Sequence, residues 1–157
     1  MRVTPAVVQS EYEWVRKRAD VVVPVANDVR GQLAAVFEVS VDEVTVDQYE
    51  TAIDDVFADG ARAVNVAALV AILRDLDVED DYPGFVVDEL LGRELAATIA
   101  GDQPLRLLGE ATFHYADTHV HPPGSAGVDD LDAALAAGVQ TRVPGWSWTE
   151  HDPFGVE

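Results

Sequence analysis

Apolar residues recur every three to four positions along most of the chain, which is the spacing of amphipathic helices. Thr4 and Pro5 supply an N-cap and a proline at the first helical position, so they predict a helix that begins there. The β-branched residues before Pro24 predict an extended or turn segment over residues 21–28, because the residue that precedes a proline avoids helical angles. A second helix is expected over residues 27–39.

Two overlapping capping boxes follow in the sequence. Ser40 with Glu43 and Thr45 with Gln48 both match the pattern in which a hydroxyl residue and an acidic or amide residue satisfy the first turn of a helix. A third helix is therefore expected to begin near these residues. Gly60 is expected to end it, because glycine is common just after the last helical residue.

Helical spacing continues in the later segments. Residues 61–76 are the most apolar, and we expect them to form the most buried helix. Residues 84–100 form another predicted helix, which Gly101 closes, and a further helix begins near Leu105. Only the short pattern 128–138 follows. The sequence therefore predicts a mainly α fold, a helical bundle of about five or six helices with an extended C-terminal tail.

Composition divides the chain into three parts. Residues 1–122 are predicted to form a helical body, residues 123–142 a loop and a short helix, and residues 143–157 an extended tail rich in aromatic residues and proline. With 157 residues the chain has the size of one domain, which is enough to bury a core without disulfides or a structural metal. It contains no cysteine, so disulfides, thiolate metal sites and cysteine nucleophiles are excluded.

Acidic residues dominate the charge: 29 aspartates and glutamates stand against 10 lysines and arginines, a formal net charge of −19. Such a chain repels nucleic acid, so we expect no specific nucleic-acid binding. The composition resembles that of proteins from extremely halophilic archaea. In molar salt the Debye length falls to about 3 Å, which weakens repulsion within a carboxylate-rich surface. An acidic protein of an ordinary high-GC bacterium is the alternative.

Basic residues and long apolar runs are both scarce. The one basic cluster, Arg16, Lys17 and Arg18, is expected to form ion pairs within or between subunits.

No stretch approaches the roughly 18 apolar residues that a membrane span needs, and the N-terminus lacks the apolar run of a signal peptide. We therefore expect no membrane association and no secretion by a cleavable signal.

Three of the four histidines lie close together, at positions 114, 119 and 121, with Asp117 between them. Neutral imidazole and carboxylate are good ligands for zinc and other divalent ions. In an extended chain Asp117, His119 and His121 share one face, whereas in a continued helix His114, Asp117 and His121 line up at i, i+3 and i+7. Histidines near a helix C-terminus also suit its partial negative charge without any metal. We assign no metal and keep this cluster as the alternative site.

The string DTHVH, residues 117–121, resembles the first metal-binding strand of the amidohydrolase family, whose HxH pair would correspond to His119 and His121. The resemblance implies a small metal-dependent hydrolase. That family builds its site on a large barrel, with further ligands from later strands, whereas the short remainder of this chain holds one more histidine. A complete amidohydrolase is therefore not expected. No phosphate-binding or other cofactor motif is found, so no cofactor is expected.

The C-terminal tail carries a concentration of aromatic residues. Trp146 and Trp148 alternate, so in an extended chain they point the same way, with Pro144 and Phe154 nearby. Large aromatic side chains on a proline-stiffened segment are typical of anchors at protein interfaces. We expect these residues to dock on a protein partner. The alternative is that the tail folds back over its own helical body.

The sequence favours a non-enzymatic structural or assembly subunit of a larger complex. Residues 46–76 give a helical core and residues 143–157 a docking tail, and this plan loosely resembles the head-tail connector (adaptor) proteins of tailed viruses, here of haloarchaeal tailed viruses. The resemblance implies a homo-oligomeric ring subunit in the virion or in the cytoplasm of a halophilic host. The alternative function is a small metal-dependent hydrolase or metal-binding protein that uses His114, Asp117, His119 and His121.

Overall fold

The computed structural model describes residues 1–77, 83–102, 106–119 and 126–145. Within these ranges it contains seven α-helices and no strand. The mainly α class predicted from the sequence is confirmed, while the helices number seven rather than five or six. They are α1 (Pro5–Lys17), α2 (Ala19–Phe37), α3 (Val46–Ala58), α4 (Gly60–Asp75), α5 (Val87–Ala100), α6 (Arg106–His119) and α7 (Ala126–Gln140).

Side-chain caps set the first residue of several helices. The Thr4 hydroxyl accepts a hydrogen bond from the Val7 amide at 3.2 Å, as the sequence predicted for the start of α1. Of the two candidate capping boxes, Thr45 with Gln48 forms at the start of α3. Gly60 does not end α3, because the Asp59 side chain caps the next helix and Gly60 is its first residue.

The extended segment predicted around Pro24 is wrong, because α2 runs through this proline. A proline inside a helix lacks the amide hydrogen that would bond the carbonyl four residues earlier, here that of Asp20. The Pro24 side chain is exposed, so water can reach that part of the helix. The residues beside it, Val22, Val23 and Val25, are buried, and their packing outweighs the local preference of the proline.

The last helix lies at the centre of the body. α7 packs against α2, α4, α5 and α6, and residues 130–141 are all buried. Small residues allow this close packing: a Cβ on Gly138 would come within 2.6 Å of the Ile99 side chain. The pattern 128–138, which the sequence placed outside the body, is therefore part of its core, whereas α4 exposes Val64 and Ile72.

Apolar residues from every helix join one core. It is built largely from valine, leucine and alanine, which fits a bundle whose helices approach closely. The largest apolar or aromatic side chains that are fully buried are Tyr49, Ile53, Leu73, Leu95, Ile99, Phe113, Leu131 and Leu135.

No single helix within the described ranges is long and apolar enough to cross a membrane. α3 and α4 reach that length and composition only when taken together, and they are bent by 112° relative to each other.

Candidate functional site

Two members of the histidine cluster predicted from the sequence, His114 and Asp117, lie in the second half of α6. His114 is exposed and Asp117, one turn later, is half-buried, so these two residues share one face of the helix. α6 is described as far as His119, whose side chain lies outside the described part, as does His121. The structure thus brings His114 and Asp117 together on one helix and leaves the other half of the proposed ligand set untested.

Two further aspartates lie near Asp117. Asp88, in the first turn of α5, and Asp130, near the start of α7, are both buried, at 7% and 6% exposure. The Asp130 carboxyl is within hydrogen-bonding reach of both Asp88 and Asp117. We call Asp88, Asp117 and Asp130 the carboxyl cluster. Each member comes from a different helix, so only the fold assembles it.

Burial governs the chemistry of this cluster. Desolvation, followed by the neighbouring Asp88 and Asp117, raises the pKa of Asp130 to about 9. Asp130 Oδ1 is buried without a hydrogen-bond partner, whereas Asp88 Oδ1 accepts from the Glu89 amide at 2.9 Å. Among the side chains that the structure describes, no group of three His, Asp or Glu residues is arranged to hold a metal ion.

A second polar arrangement fixes the base of the C-terminal tail. Arg30 of α2 is buried, and its Nε donates to the Gln140 side chain at 2.5 Å, at the end of α7. Its Nη1 donates to the backbone carbonyls of Asp42 at 2.6 Å and Pro144 at 2.9 Å. Its Nη2 donates to the Val143 carbonyl at 3.4 Å. One guanidinium therefore joins α2, the loop after α2 and the residues after α7.

The backbone continues this attachment to Gly145. The Asp42 amide donates to the Gly145 carbonyl at 3.1 Å. Gly145 has a φ of 128°, which favours glycine, and a Cβ there would collide with the Arg30 guanidinium. Burial lowers the pKa of Arg30 to about 10, so the group is still charged at neutral pH. We call Arg30, Asp42 and Gly145, with the carbonyls of Val143 and Pro144, the tail anchor.

The residues predicted to form the interface divide between the described and undescribed parts of the chain. Pro144 is exposed and belongs to the tail anchor through its carbonyl. Trp146, Trp148 and Phe154 lie outside the described residues. The structure thus describes how the tail begins, and the docking role of its aromatic residues stays a prediction.

The basic cluster near the end of α1 forms ion pairs within the body. Arg16 pairs with Glu50 and with Asp54 on α3, the second at 3.1 Å. Arg18 donates to both oxygens of the buried Asp132 on α7, at 2.9 and 3.0 Å. The expectation that this cluster serves ion pairing is confirmed for these two arginines.

An open cleft of about 600 Å³ lies beside α1 and α4. Arg74 pairs with Glu11 in its wall at 2.8 Å and stacks on the Trp14 ring, 4.3 Å from its centroid. Arg74 and Glu11 are thus paired with each other in the wall of this cleft. Neither the carboxyl cluster nor the tail anchor lines this cleft.

A family model described as "Domain of unknown function (DUF7984)" matches residues 1–157. The chain belongs to this family. No curated protein and no solved structure matches it. Membership of the DUF7984 family therefore supplies no activity, and the functional argument rests on the side chains described above.

Sequence reasoning missed the central residues of this DUF7984 chain for two reasons. Asp88 and Asp130 lie far apart in the sequence, and neither belongs to a motif, so only packing of α5 on α7 brings them together. Arg30 lies between Asp28 and Gln32 in α2, so no local pattern marks it as buried, and its partners at the end of α7 and beyond lie more than a hundred positions later.

Proposed function

We propose that the chain is a non-enzymatic assembly subunit that docks its C-terminal tail on a neighbouring protein. The observation that carries this proposal is the tail anchor. Arg30 binds the carbonyls of Val143 and Pro144, and the Asp42 amide binds that of Gly145. The chain is therefore held in place as far as Gly145, and a fixed starting point would lower the entropy lost when a following segment docks.

The position of the core supports the same role. The buried apolar cluster runs from Val15 to Val143 and contains residues of all seven described helices. Among the described residues, the core ends at Val143, before Trp146 and Trp148. Two tryptophans that follow it would suit an interface anchor, because such side chains bury a large apolar area with few rotatable bonds.

The most concrete form of the proposal is a head-tail connector ring subunit of a haloarchaeal tailed virus, found in the virion or in the cytoplasm of its halophilic host. Arg16, Arg18 and Arg74 all pair with carboxylates of the body. Such pairing uses basic charge internally and leaves the exterior strongly acidic. An acidic ring lumen would let DNA pass without binding it.

The test uses the full chain in molar KCl, alone and co-expressed with the products of neighbouring genes. A Trp146→Ala, Trp148→Ala double variant is compared with a Glu150→Gln, His151→Gln control in the same tail. We expect rings or a mixed complex in electron micrographs for the full chain and the control, and their loss in the double variant with unchanged circular dichroism.

Two outcomes would contradict the proposal. A full chain that is monomeric in molar KCl and binds none of the co-expressed products is not an assembly subunit. A double variant that assembles as well as the control shows that the tail aromatics are not the docking element. Mass measured by analytical ultracentrifugation distinguishes these cases from simple aggregation.

A further inference from the structure

Exposed apolar side chains lie next to each other at the beginning of α5. Val86, Val87 and Leu90 are 49%, 45% and 58% exposed. Val87 and Leu90 lie one turn apart on the same side of the helix, and Val86 directly precedes them. We call these three residues the α5 patch. Single exposed apolar residues are ordinary on a protein surface, whereas a group of them indicates a contact surface.

Neither the start of the helix nor the core accounts for the α5 patch. Val86 occupies the N-cap position of α5 and forms no capping hydrogen bond with its side chain, although serine, aspartate or asparagine would do so. The side of α5 that faces the body carries other residues, among them the buried Gly92 and Leu95. The α5 patch therefore contributes neither a cap nor core packing to the described fold.

The α5 patch and the tail anchor lie at opposite ends of the body. Near the beginnings of α5 and α7, a Cβ on Gly92 would lie 3.2 Å from the Asp130 carbonyl. Near their ends, a Cβ on Gly138 would lie 2.6 Å from the Ile99 side chain. The two helices thus run in the same direction. The α5 patch precedes the first of these contacts, and the tail anchor lies after the end of α7.

The tryptophans of the same chain are too near the tail anchor to reach the α5 patch. α7 rises about 15 Å between Asp130 and Gln140, and the α5 patch lies about 3 to 9 Å beyond Asp130. Gln140 is bound to the tail anchor through Arg30, so about 20 Å separate the two ends. Trp148 follows Gly145 by three residues, which span at most about 10 Å when extended. A tryptophan that occupies the α5 patch must therefore come from another chain.

We propose that the α5 patch is the docking site for Trp146 and Trp148 of a second copy of this chain. The inference rests on the proposed function and names its partner. The tail that begins at one end of a subunit then meets the opposite end of the next subunit. Such a head-to-tail contact repeats from copy to copy and forms a ring when the rotation between copies closes.

Apolar burial supplies the attraction between the copies. Indole rings that cover exposed valine and leucine side chains remove apolar area of both subunits from water. Two copies that each carry a formal net charge of −19 repel each other at low ionic strength. Salt screens this repulsion and does not weaken the apolar contact, so the contact suits molar salt.

The test is sedimentation of full-length chains in molar KCl. Val87→Gln with Leu90→Gln removes two apolar side chains of the α5 patch and keeps a residue of good helix propensity. Val36→Gln with Phe37→Gln is the matched control, because these residues are 64% and 55% exposed and lie on α2 near its end. We expect the α5-patch variant to lose the self-assembly of the wild type and the control to keep it. Circular dichroism should be unchanged in both.

A mixture of two defective chains gives a sharper result. The Trp146→Ala, Trp148→Ala chain keeps the α5 patch, and the Val87→Gln, Leu90→Gln chain keeps the tail. Neither should assemble alone. Their one-to-one mixture should form a dimer that grows no further, because only one contact is available between them. A mixture that stays monomeric would contradict the proposal.

The other outcomes separate this inference from the proposed function. An α5-patch variant that assembles like the wild type would overturn the inference, as would a loss of assembly confined to the Val36→Gln, Phe37→Gln control. A wild-type chain that is monomeric alone but binds a co-expressed product through its tryptophans would overturn the second copy as partner and leave the assembly function standing. A wild-type chain that does neither would contradict both.

Discussion

Arg18 and Asp132 form an ion pair between the residue that precedes α2 and the centre of α7. Arg18 Nε and Nη2 donate to the two oxygens of Asp132 at 2.9 and 3.0 Å, and Asp132 is 0% exposed. This geometry matches the planar guanidinium fork to the carboxylate, which makes the pair selective for arginine. The pair fixes the single residue between α1 and α2 against the last helix.

Removal of one partner should destabilise the body strongly. Asp132→Asn leaves Arg18 without its carboxylate, and we expect a loss of about 3 kcal/mol in the free energy of unfolding. Arg18→Lys should also destabilise, because an ammonium cannot bind both oxygens in the same plane. Urea unfolding measures both. An Arg18→Met, Asp132→Leu double variant is the control: it should lose less than Asp132→Asn alone, and a larger loss would contradict this account.

Pro24 gives the opposite kind of prediction, a stabilising substitution. Pro24→Ala restores an amide that can bond the Asp20 carbonyl within α2, and the exposed position has room for the change. The unfolded chain gains some freedom in return. We expect a net gain of about 1 to 2 kcal/mol, measured by thermal unfolding. Asp28→Ala, also exposed on α2, controls for helix propensity. A Pro24→Ala variant that melts at or below the wild-type temperature would contradict the prediction.

Local sequence signals predicted where several helices begin, but they did not predict which helix forms the centre of the core. Thr4 and the Thr45–Gln48 box act within one turn, so short-range chemistry decides them. α7 has buried residues on all sides and no polar face, and a periodic pattern is therefore weak in it. Its burial depends on packing against α2, α4, α5 and α6, which no local pattern reports.

The polar residues also divide into those that lie near each other in the sequence and those that only the fold brings together. His114 and Asp117 were found because they are near in sequence and lie on one helix. The tail anchor joins Arg30 to the carbonyls of Val143 and Pro144, more than a hundred positions later, and the carboxyl cluster joins aspartates of three helices. No local pattern marks Arg30 or Asp130 as buried, and only the packing of the helices brings each to its neighbours.

Two truncated chains, one ending at Gly145 and one at Arg142, test the contributions of the tail and of the tail anchor to stability. The sequence placed the start of the tail at Val143, but Val143 is buried and the carbonyls of residues 143 and 144 accept from Arg30. Removal of residues after Gly145 should leave the circular dichroism and the melting temperature nearly unchanged. Removal of residues after Arg142 leaves the buried guanidinium short of acceptors, and should cost about 1 to 3 kcal/mol.

The pair of truncated chains is its own matched control. Equal melting temperatures for the two would show that the tail anchor contributes little to stability. Unfolding or aggregation of the chain that ends at Gly145 would show that the tail is part of the core, and would contradict its role as an interaction arm.

The histidines are predicted not to hold a functional metal. His119→Ala with His121→Ala should leave folding and assembly nearly intact, because histidines near a helix end are accounted for by its partial negative charge. Elemental analysis of the purified chain should find no stoichiometric zinc, manganese or nickel. A stoichiometric metal that survives purification and is lost in the double variant would favour the metal-dependent alternative over the assembly subunit.

Salt should stabilise the fold if its acidic surface is a halophilic adaptation. With a formal net charge of −19, repulsion between exposed carboxylates opposes the compact state at low ionic strength. Molar KCl shortens the Debye length to about 3 Å and removes most of this repulsion, whereas at about 0.1 M it is near 10 Å. Thermal unfolding should therefore show a higher melting temperature in molar KCl. The ion pair of Arg18 with the buried Asp132 is less accessible to salt than surface pairs, so screening should not offset the gain. A melting temperature that is unchanged or lower in molar KCl would contradict the halophilic interpretation, and with it the proposed halophilic host.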